Sequence, residues 1–240
     1  MERTAIRRRL TWQVARVVER VTETARTTSI VLDAADWPGH LAGQHVDVRL
    51  TAEDGYQAQR SYSIASAPED EHLVITVQRL DDGEVSPYLT ALQPGDELEL
   101  RGPIGGYFVW EERLGGPLLL VAGGAGVVPL RAMLRHHRSI ASDVPVRLLY
   151  SARTRSDLIY RAELADYETT ITLTDEQPQG WNGRTGRIDS DFLAETAWAP
   201  AERPLVYVCG PTGFVEAVAN ALVALGHGAD RVRTERFGPT

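Results

Sequence analysis

The chain has 240 residues, 43% of them hydrophobic and 24% charged, and a formal net charge of −8. That composition belongs to a globular protein able to bury a core, and an acidic chain has no global pull on nucleic acid or an anionic membrane surface. The single cysteine, Cys209, excludes an intrachain disulfide and any iron–sulfur cluster held by four thiolates of this chain.

In chain order, Arg7, Arg8 and Arg9 come first, a basic run that reads as a solvated arm or as a docking patch for an acidic partner. From Leu10 to Val21 the sequence is broken by Gln13, Arg16, Glu19 and Arg20, so it lacks the apolar stretch of a secretory signal. No run is long and apolar enough to span a bilayer, and a cytoplasmic protein is the expectation. From about Trp12 to Leu100 apolar residues alternate with polar ones. Val46, Val48 and Leu50 enclose Asp47 and Arg49; Leu73, Ile75 and Val77 repeat the pattern; Leu98 and Leu100 flank Glu99. Turn pairs stand between these runs at Pro38-Gly39, Asp54-Gly55, Asp82-Gly83 and Pro94-Gly95. Period-two alternation with short spacings predicts an antiparallel β-barrel or sandwich.

After Gly115-Gly116-Pro117 the texture changes. Leu118 to Ala122 is continuously apolar, as suits a strand buried on both faces. Glycines and a helical pattern from Val128 to His137 follow. Val146–Tyr150, Thr170–Leu173 and Leu205–Val208 are further strand candidates, and a helix is expected from about Phe214 to Leu225. Alternating strands and helices predict a parallel α/β sheet. The expected organisation is therefore two domains, a β-barrel over residues 1–114 and an α/β domain over 115–240.

Four motifs carry chemistry. Gly123-Gly124-Ala125-Gly126 follows the first parallel strand and opens a helix, where glycines let backbone approach a pyrophosphate; it also reads as a simple tight turn. Arg60-Ser61-Tyr62-Ser63 offers a guanidinium for a phosphate and a ring for a flat heterocycle. In an extended strand Arg60 and Tyr62 share one face, Ser61 and Ser63 the other. In Gly83-Glu84-Val85-Ser86-Pro87, Ser86 reads as a helix N-cap before proline and the segment as a second anion site. Cys209-Gly210-Pro211 ends the last strand candidate, where open α/β sheets place ligands. The six histidines show no metal-ligand spacing, and no metal centre is expected.

The ordered set resembles the ferredoxin–NADP reductase superfamily over nearly the whole chain. The stretches that carry the resemblance are RSYSIAS (60–66), VQRLDDGEVSPYL (77–89), GPIGGYF (102–108), LLLVAGGAGVVPLRAML (118–134), LLYSARTRSDLIYRAEL (148–164), VYVCGPTGF (206–214) and ERFGPT (235–240). The resemblance implies a flavin-binding barrel followed by a nicotinamide-dinucleotide domain, with FAD as the bound flavin and NADPH or NADH as reductant. It implies that Arg60 meets the flavin diphosphate, Tyr62 packs on the ring system, and Ser61, Val77 and Arg79 belong to the flavin site. Gly83, Val85 and Ser86 would serve the diphosphate. Gly123, Gly124 and Gly126 would admit the dinucleotide, with Cys209, Gly210 and Pro211 against the nicotinamide and Phe237 beside the flavin ring. Ser63, Cys209 and Glu235 are the implied catalytic positions, around hydride transfer from nicotinamide C4 to flavin N5 and onward electron release to a protein such as ferredoxin or an oxygenase or oxidase component.

Ser151 and Arg153, with Arg155 and Arg161 nearby, favour the 2′-phosphate of NADPH. Asp175 stands about where plant-type NADPH enzymes carry arginine, and its carboxylate suits a free ribose hydroxyl instead. Arg184 and Arg187 are candidates to compensate. A free-flavin reductase, and a dinucleotide-sensing module without catalysis, are the other readings. The sensing module predicts a damaged flavin motif, whereas Arg60, Tyr62 and Ser63 are intact.

Overall fold

The computed structural model describes residues 10–238, and the Arg7–Arg9 run lies outside them. Strands β1 (Gln13–Thr24), β2 (Thr27–Asp33), β3 (His45–Thr51), β4 (Gln57–Ser63) and β5 (Leu73–Gln78) are followed by helix α1 (Ser86–Ala91) and strand β6 (Glu97–Ile104). They form one antiparallel sheet in the order β4-β3-β6-β1-β2-β5. A bridge between Ile64 and Ile75 joins its two ends, so the sheet curls into a barrel. The alternation in the sequence sets what lies inside: Ile30, Leu32, Val46, Val48, Ile75, Val77 and Leu100 are buried together.

The second half comprises β7 (Leu118–Gly123), α2 (Val127–Ser139), β8 (Val146–Ala152), α3 (Arg161–Leu164), β9 (Thr169–Leu173), β10 (Arg184–Thr185), α4 (Ser190–Thr196), β11 (Leu205–Pro211), α5 (Thr212–Ala224) and β12 (Val232–Phe237). Its sheet is parallel, in the order β10-β9-β8-β7-β11-β12. Central β7 is buried on both faces: Leu118, Leu120 and Ala122 pack towards α2, Leu119 and Val121 towards α5. Among the described residues no helix is long and apolar enough to cross a membrane.

The two halves meet along α2. Arg135 pairs with Asp70 of the barrel at 2.8 Å, His136 lies 2.8 Å from Glu69, and Trp110 packs edge-on to His136. This interface brings the barrel face around β4 and β5 against the carboxyl ends of β7, β8 and β11.

Candidate active site

Two of the clefts that open where the halves meet carry the motif residues. The larger, about 810 Å³, is lined by Arg60, Ser61, Tyr62, Ser63, Thr76, Gln78, Gly83, Val85 and Ser86 from the barrel, and by Ala125, Val128, Pro211 and Phe237 from the α/β half. The smaller, about 440 Å³, is lined by Gly123, Gly124, Ser151, Arg153, Asp157, Ile159, Thr174 and Phe214, with Arg26 and Arg79 reaching in from the barrel. Gln78, Leu80, Ala125, Pro211 and Phe237 line both, so the clefts share a wall.

In the larger cleft, Arg60 pairs with exposed Glu84 at 3.2 Å and donates to the Gln59 carbonyl at 2.7 Å. A guanidinium held by one exposed carboxylate and its neighbour's carbonyl is still available to a diphosphate. The Tyr62 hydroxyl is pushed up to about 12 by burial and stays a neutral donor. Its neighbour Ser61 donates to Asp47 at 2.6 Å, a carboxylate that also accepts from Arg101 at 2.9 Å. Ser61 is thus a tie between strands even though it borders the cleft. Ser63 donates to the Glu235 carboxylate at 3.2 Å.

Glu235 reaches this point because β12 runs parallel to β11 with Cys209 and Glu235 as register partners. Burial raises the Glu235 carboxyl to about 7, and the Ser63 hydrogen bond opposes that rise. Cys209 is buried, and burial first, Glu235 second, push its thiol well up. A neutral thiol of that kind is a space-filling group and not a nucleophile. His45 is the cross-strand partner of Ser63 and carries a pKa lowered by burial.

The structure corrects several sequence expectations. Val77 is buried in the barrel core, and its strand neighbours Thr76 and Gln78 are the ones that face the cleft. Ser86 does not cap α1: Val85 occupies that position, and the Ser86 hydroxyl accepts the Leu80 N–H at 3.0 Å, folding the 80–86 turn back on itself. The Gly123–Gly126 glycines differ in role. A Cβ on Gly126 would stand 2.0 Å from the Cys209 carbonyl oxygen, and one on Gly123 would stand 2.8 Å from the Phe214 ring, so both serve close packing. Gly124, at φ 54°, has open space around it and lines the smaller cleft. Arg161 lines a separate groove with Glu23 and Tyr160. Arg184 is held by Glu195 and lies over the Phe192 ring, away from the cleft. Asp175 donates its N–H to the Arg153 carbonyl at 2.9 Å and its carboxylate accepts from Thr174, so Thr174 and not Asp175 faces the cleft.

Gln78, Leu80 and Phe214 are cleft residues outside the four motifs though inside the matching stretches 77–89 and 206–214, and Arg26 lies outside both. For Gln78 a signal was present: once Val77 points inward, period-two parity turns Gln78 outward. Arg26 arrives by the β1–β2 hairpin, through a long-range fold contact that no local pattern encodes. No group of three or more metal-ligating side chains occurs among the described residues.

A barrel and a parallel sheet sharing a two-cleft junction, one cleft with a guanidinium and an aromatic ring, the other with an open glycine turn, define a flavin- and nicotinamide-binding oxidoreductase. Residues 15–109 match the oxidoreductase FAD-binding domain family and residues 120–220 the oxidoreductase NAD-binding domain family. The chain belongs to the ferredoxin–NADP reductase superfamily. It is 36% identical to ferredoxin–NADP reductase B of Sorangium cellulosum, over 82% of this chain and 84% of that protein. It is 34% identical to the glycine betaine monooxygenase reductase subunit of Chromohalobacter salexigens over 82% of this chain, and spans only 56% of that relative's length. The FAD/NAD-binding domain of nitric oxide dioxygenase from Vibrio cholerae superposes with a TM-score of 0.84 at 28% identity, over 95% of this chain and 99% of that one.

Proposed function

We propose that the chain is a reductase that takes hydride from NADPH or NADH onto bound FAD and passes electrons to a protein acceptor of the ferredoxin or oxygenase-component class. The observation that carries this reading is the shared wall: Pro211 and Phe237 border both clefts, so ligands in the two can meet. When bound, FAD supplies the hydride-accepting ring and the ability to part with electrons one at a time.

The chain's own groups position and protonate. Arg60, with the backbone and hydroxyl of the 83–86 turn, holds the diphosphate. Tyr62 covers the ring system. Thr76 and Gln78 offer polar contacts at its edge. Gly124 admits the dinucleotide's pyrophosphate, and Arg153, with Arg26 opposite, offers charge to its outer phosphate; Arg79, expected in the flavin site, lines the smaller cleft instead and adds to that charge. Ser63 and Glu235 hold or move a proton at the reacting ring, for which a carboxyl raised to about 7 is matched to neutral pH. Cys209 fills the wall behind the nicotinamide side as a neutral group. The choice of acceptor class rests on the two relatives, one named for ferredoxin and one for a monooxygenase.

The test is spectroscopic. Protein reconstituted with FAD shows a flavin spectrum that bleaches when NADPH or NADH is added without oxygen, and the colour returns on adding a ferredoxin. A chain that takes up no FAD refutes the reading. Bleaching without transfer to any ferredoxin or oxygenase component refutes the acceptor assignment, and loose, readily exchanged FAD turns the reading towards a free-flavin reductase.

A further inference from the structure

One side chain joins the walls of the two clefts. Asp157 and Ile159 line the smaller cleft, and Tyr160 follows them directly. Tyr160 has φ 58°, a left-handed conformation that is costly for a bulky residue and persists only where surroundings hold it. Here the surroundings are specific. The buried ring lies under the Arg131 guanidinium, 4.4 Å from its centroid, and the hydroxyl donates to Thr76 Oγ1 of the barrel. Arg131 is itself fixed, donating to Glu163 at 2.6 Å and across the domain junction to the Ala65 carbonyl at 3.2 Å. One residue before, the Ile159 N–H donates to the Tyr150 hydroxyl at 3.2 Å.

Thr76 lines the larger cleft. Its Oγ1 is 2.8 Å from Ser29 Oγ, and Ser29 donates to the Glu23 carboxylate at 2.6 Å. Each hydroxyl has one proton, so the direction of the chain is fixed by its charged end: Ser29 gives to Glu23, Thr76 to Ser29, and Tyr160 to Thr76. The Thr76 hydroxyl is thereby oriented with its remaining lone pair and methyl group set by a residue of the other domain. Coupled hydroxyls in a buried site reinforce one another.

We propose that Tyr160 is a positioning residue that couples the two cofactor sites: a dinucleotide that orders the 153–159 segment also fixes the flavin-facing Thr76, so each cofactor tightens the binding of the other. This rests on the FAD and NAD(P)H reading above. The coupling is reciprocal by linkage, and a modest one is a factor of about five or more. Tyr160 touches neither cofactor; its effect passes through Thr76 on one side and Ile159 on the other.

The experiment measures FAD affinity by quenching of flavin fluorescence, with and without saturating NADP+ and, separately, NAD+. In the wild type the bound dinucleotide tightens FAD by about five-fold or more. In Tyr160→Phe, which keeps the ring and removes the hydroxyl, that ratio falls below about two while the melting temperature stays within a few degrees. Thr76→Ser retains the wild-type ratio and Thr76→Val loses it. A merely structural tie would lower stability and leave the ratio untouched. A full ratio in Tyr160→Phe, or a wild-type ratio of one with both dinucleotides, overturns the coupling while leaving the flavin reading in place. A wild type that binds no FAD overturns both. Should Tyr160→Phe fail to fold, equal ratios in the two Thr76 variants overturn the coupling.

Discussion

The Ser63 hydroxyl donates to the Glu235 carboxylate at 3.2 Å, joining residues 172 positions apart across the domain junction. The Glu235 carboxyl is raised from 4.5 to about 7, chiefly by burial. In the unfolded chain it loses its proton near the lower value, and in the folded chain only near the upper one. Between them the folded state binds more protons, so stability falls as pH rises, by on the order of 3 kcal/mol across the window. Glu235→Gln removes that dependence. Melting temperatures at pH 5 and pH 8 then differ less in the variant than in the wild type, and an identical pH slope in both refutes the assignment.

Gly124 and Gly126 predict opposite kinds of failure. Gly126→Ala places a methyl 2.0 Å from the Cys209 carbonyl oxygen, against backbone that cannot yield. It is expected to lose about 3 kcal/mol or to prevent folding, as overpacking does. Gly124→Ala meets no neighbour and costs about 1 kcal/mol for its positive φ. Its larger effect falls on dinucleotide affinity, weakened about ten-fold or more as a methyl intrudes on the pyrophosphate path. Chemical denaturation and dinucleotide titration separate the two; comparable stability losses in both variants would contradict the division of roles.

Arg60 is held by Glu84 at 3.2 Å, and a flavin diphosphate must compete with that carboxylate. Glu84→Gln is expected to tighten FAD binding by a factor of about two to five, the worth of an exposed ion pair. Arg60→Ala is expected to weaken it by about a hundred-fold, as for a lost charge-assisted contact. Calorimetric titration with FAD reads both, and weaker binding in Glu84→Gln would show that the pair supports the site.

Arg153 lines the smaller cleft, tethered only by a 3.6 Å contact to Asp157. If it reads a 2′-phosphate, Arg153→Ala raises the Michaelis constant for NADPH about ten-fold and leaves NADH within about two-fold. Equal effects on both cofactors would remove Arg153 from the discrimination.

The barrel and the parallel sheet were legible because their cores alternate in different ways. Val46, Val48 and Ile75 repeat at two, and Leu118–Ala122 does not alternate at all. Strand β12 carried no such signal. It is an edge strand whose Arg233, Thr234 and Glu235 are only partly covered and whose Arg236 is exposed, so its sequence reads as polar connection. The motif residues Arg60, Tyr62, Gly124 and Pro211 do border the clefts. What local pattern could not supply was sidedness. Val77 lies in a stretch that resembles the family's flavin site, and strand parity puts it in the core. Tyr160 lies within a matching stretch, yet its importance comes from Thr76, 84 residues away.

The tie between Ser61 and Asp47 has a consequence for genetics. Four consecutive codons, 60 to 63, specify two interleaved tasks, one facing the cofactor and one holding β3, β4 and β6 together through Asp47 and Arg101. A mutational scan of this stretch should therefore sort its failures by remedy. Losses at Arg60 and Tyr62 are relieved by growth conditions that raise flavin, whereas losses at Ser61 are relieved by lowering the temperature. A scan in which flavin rescues Ser61 variants as well as Arg60 variants would assign that serine to the cofactor after all.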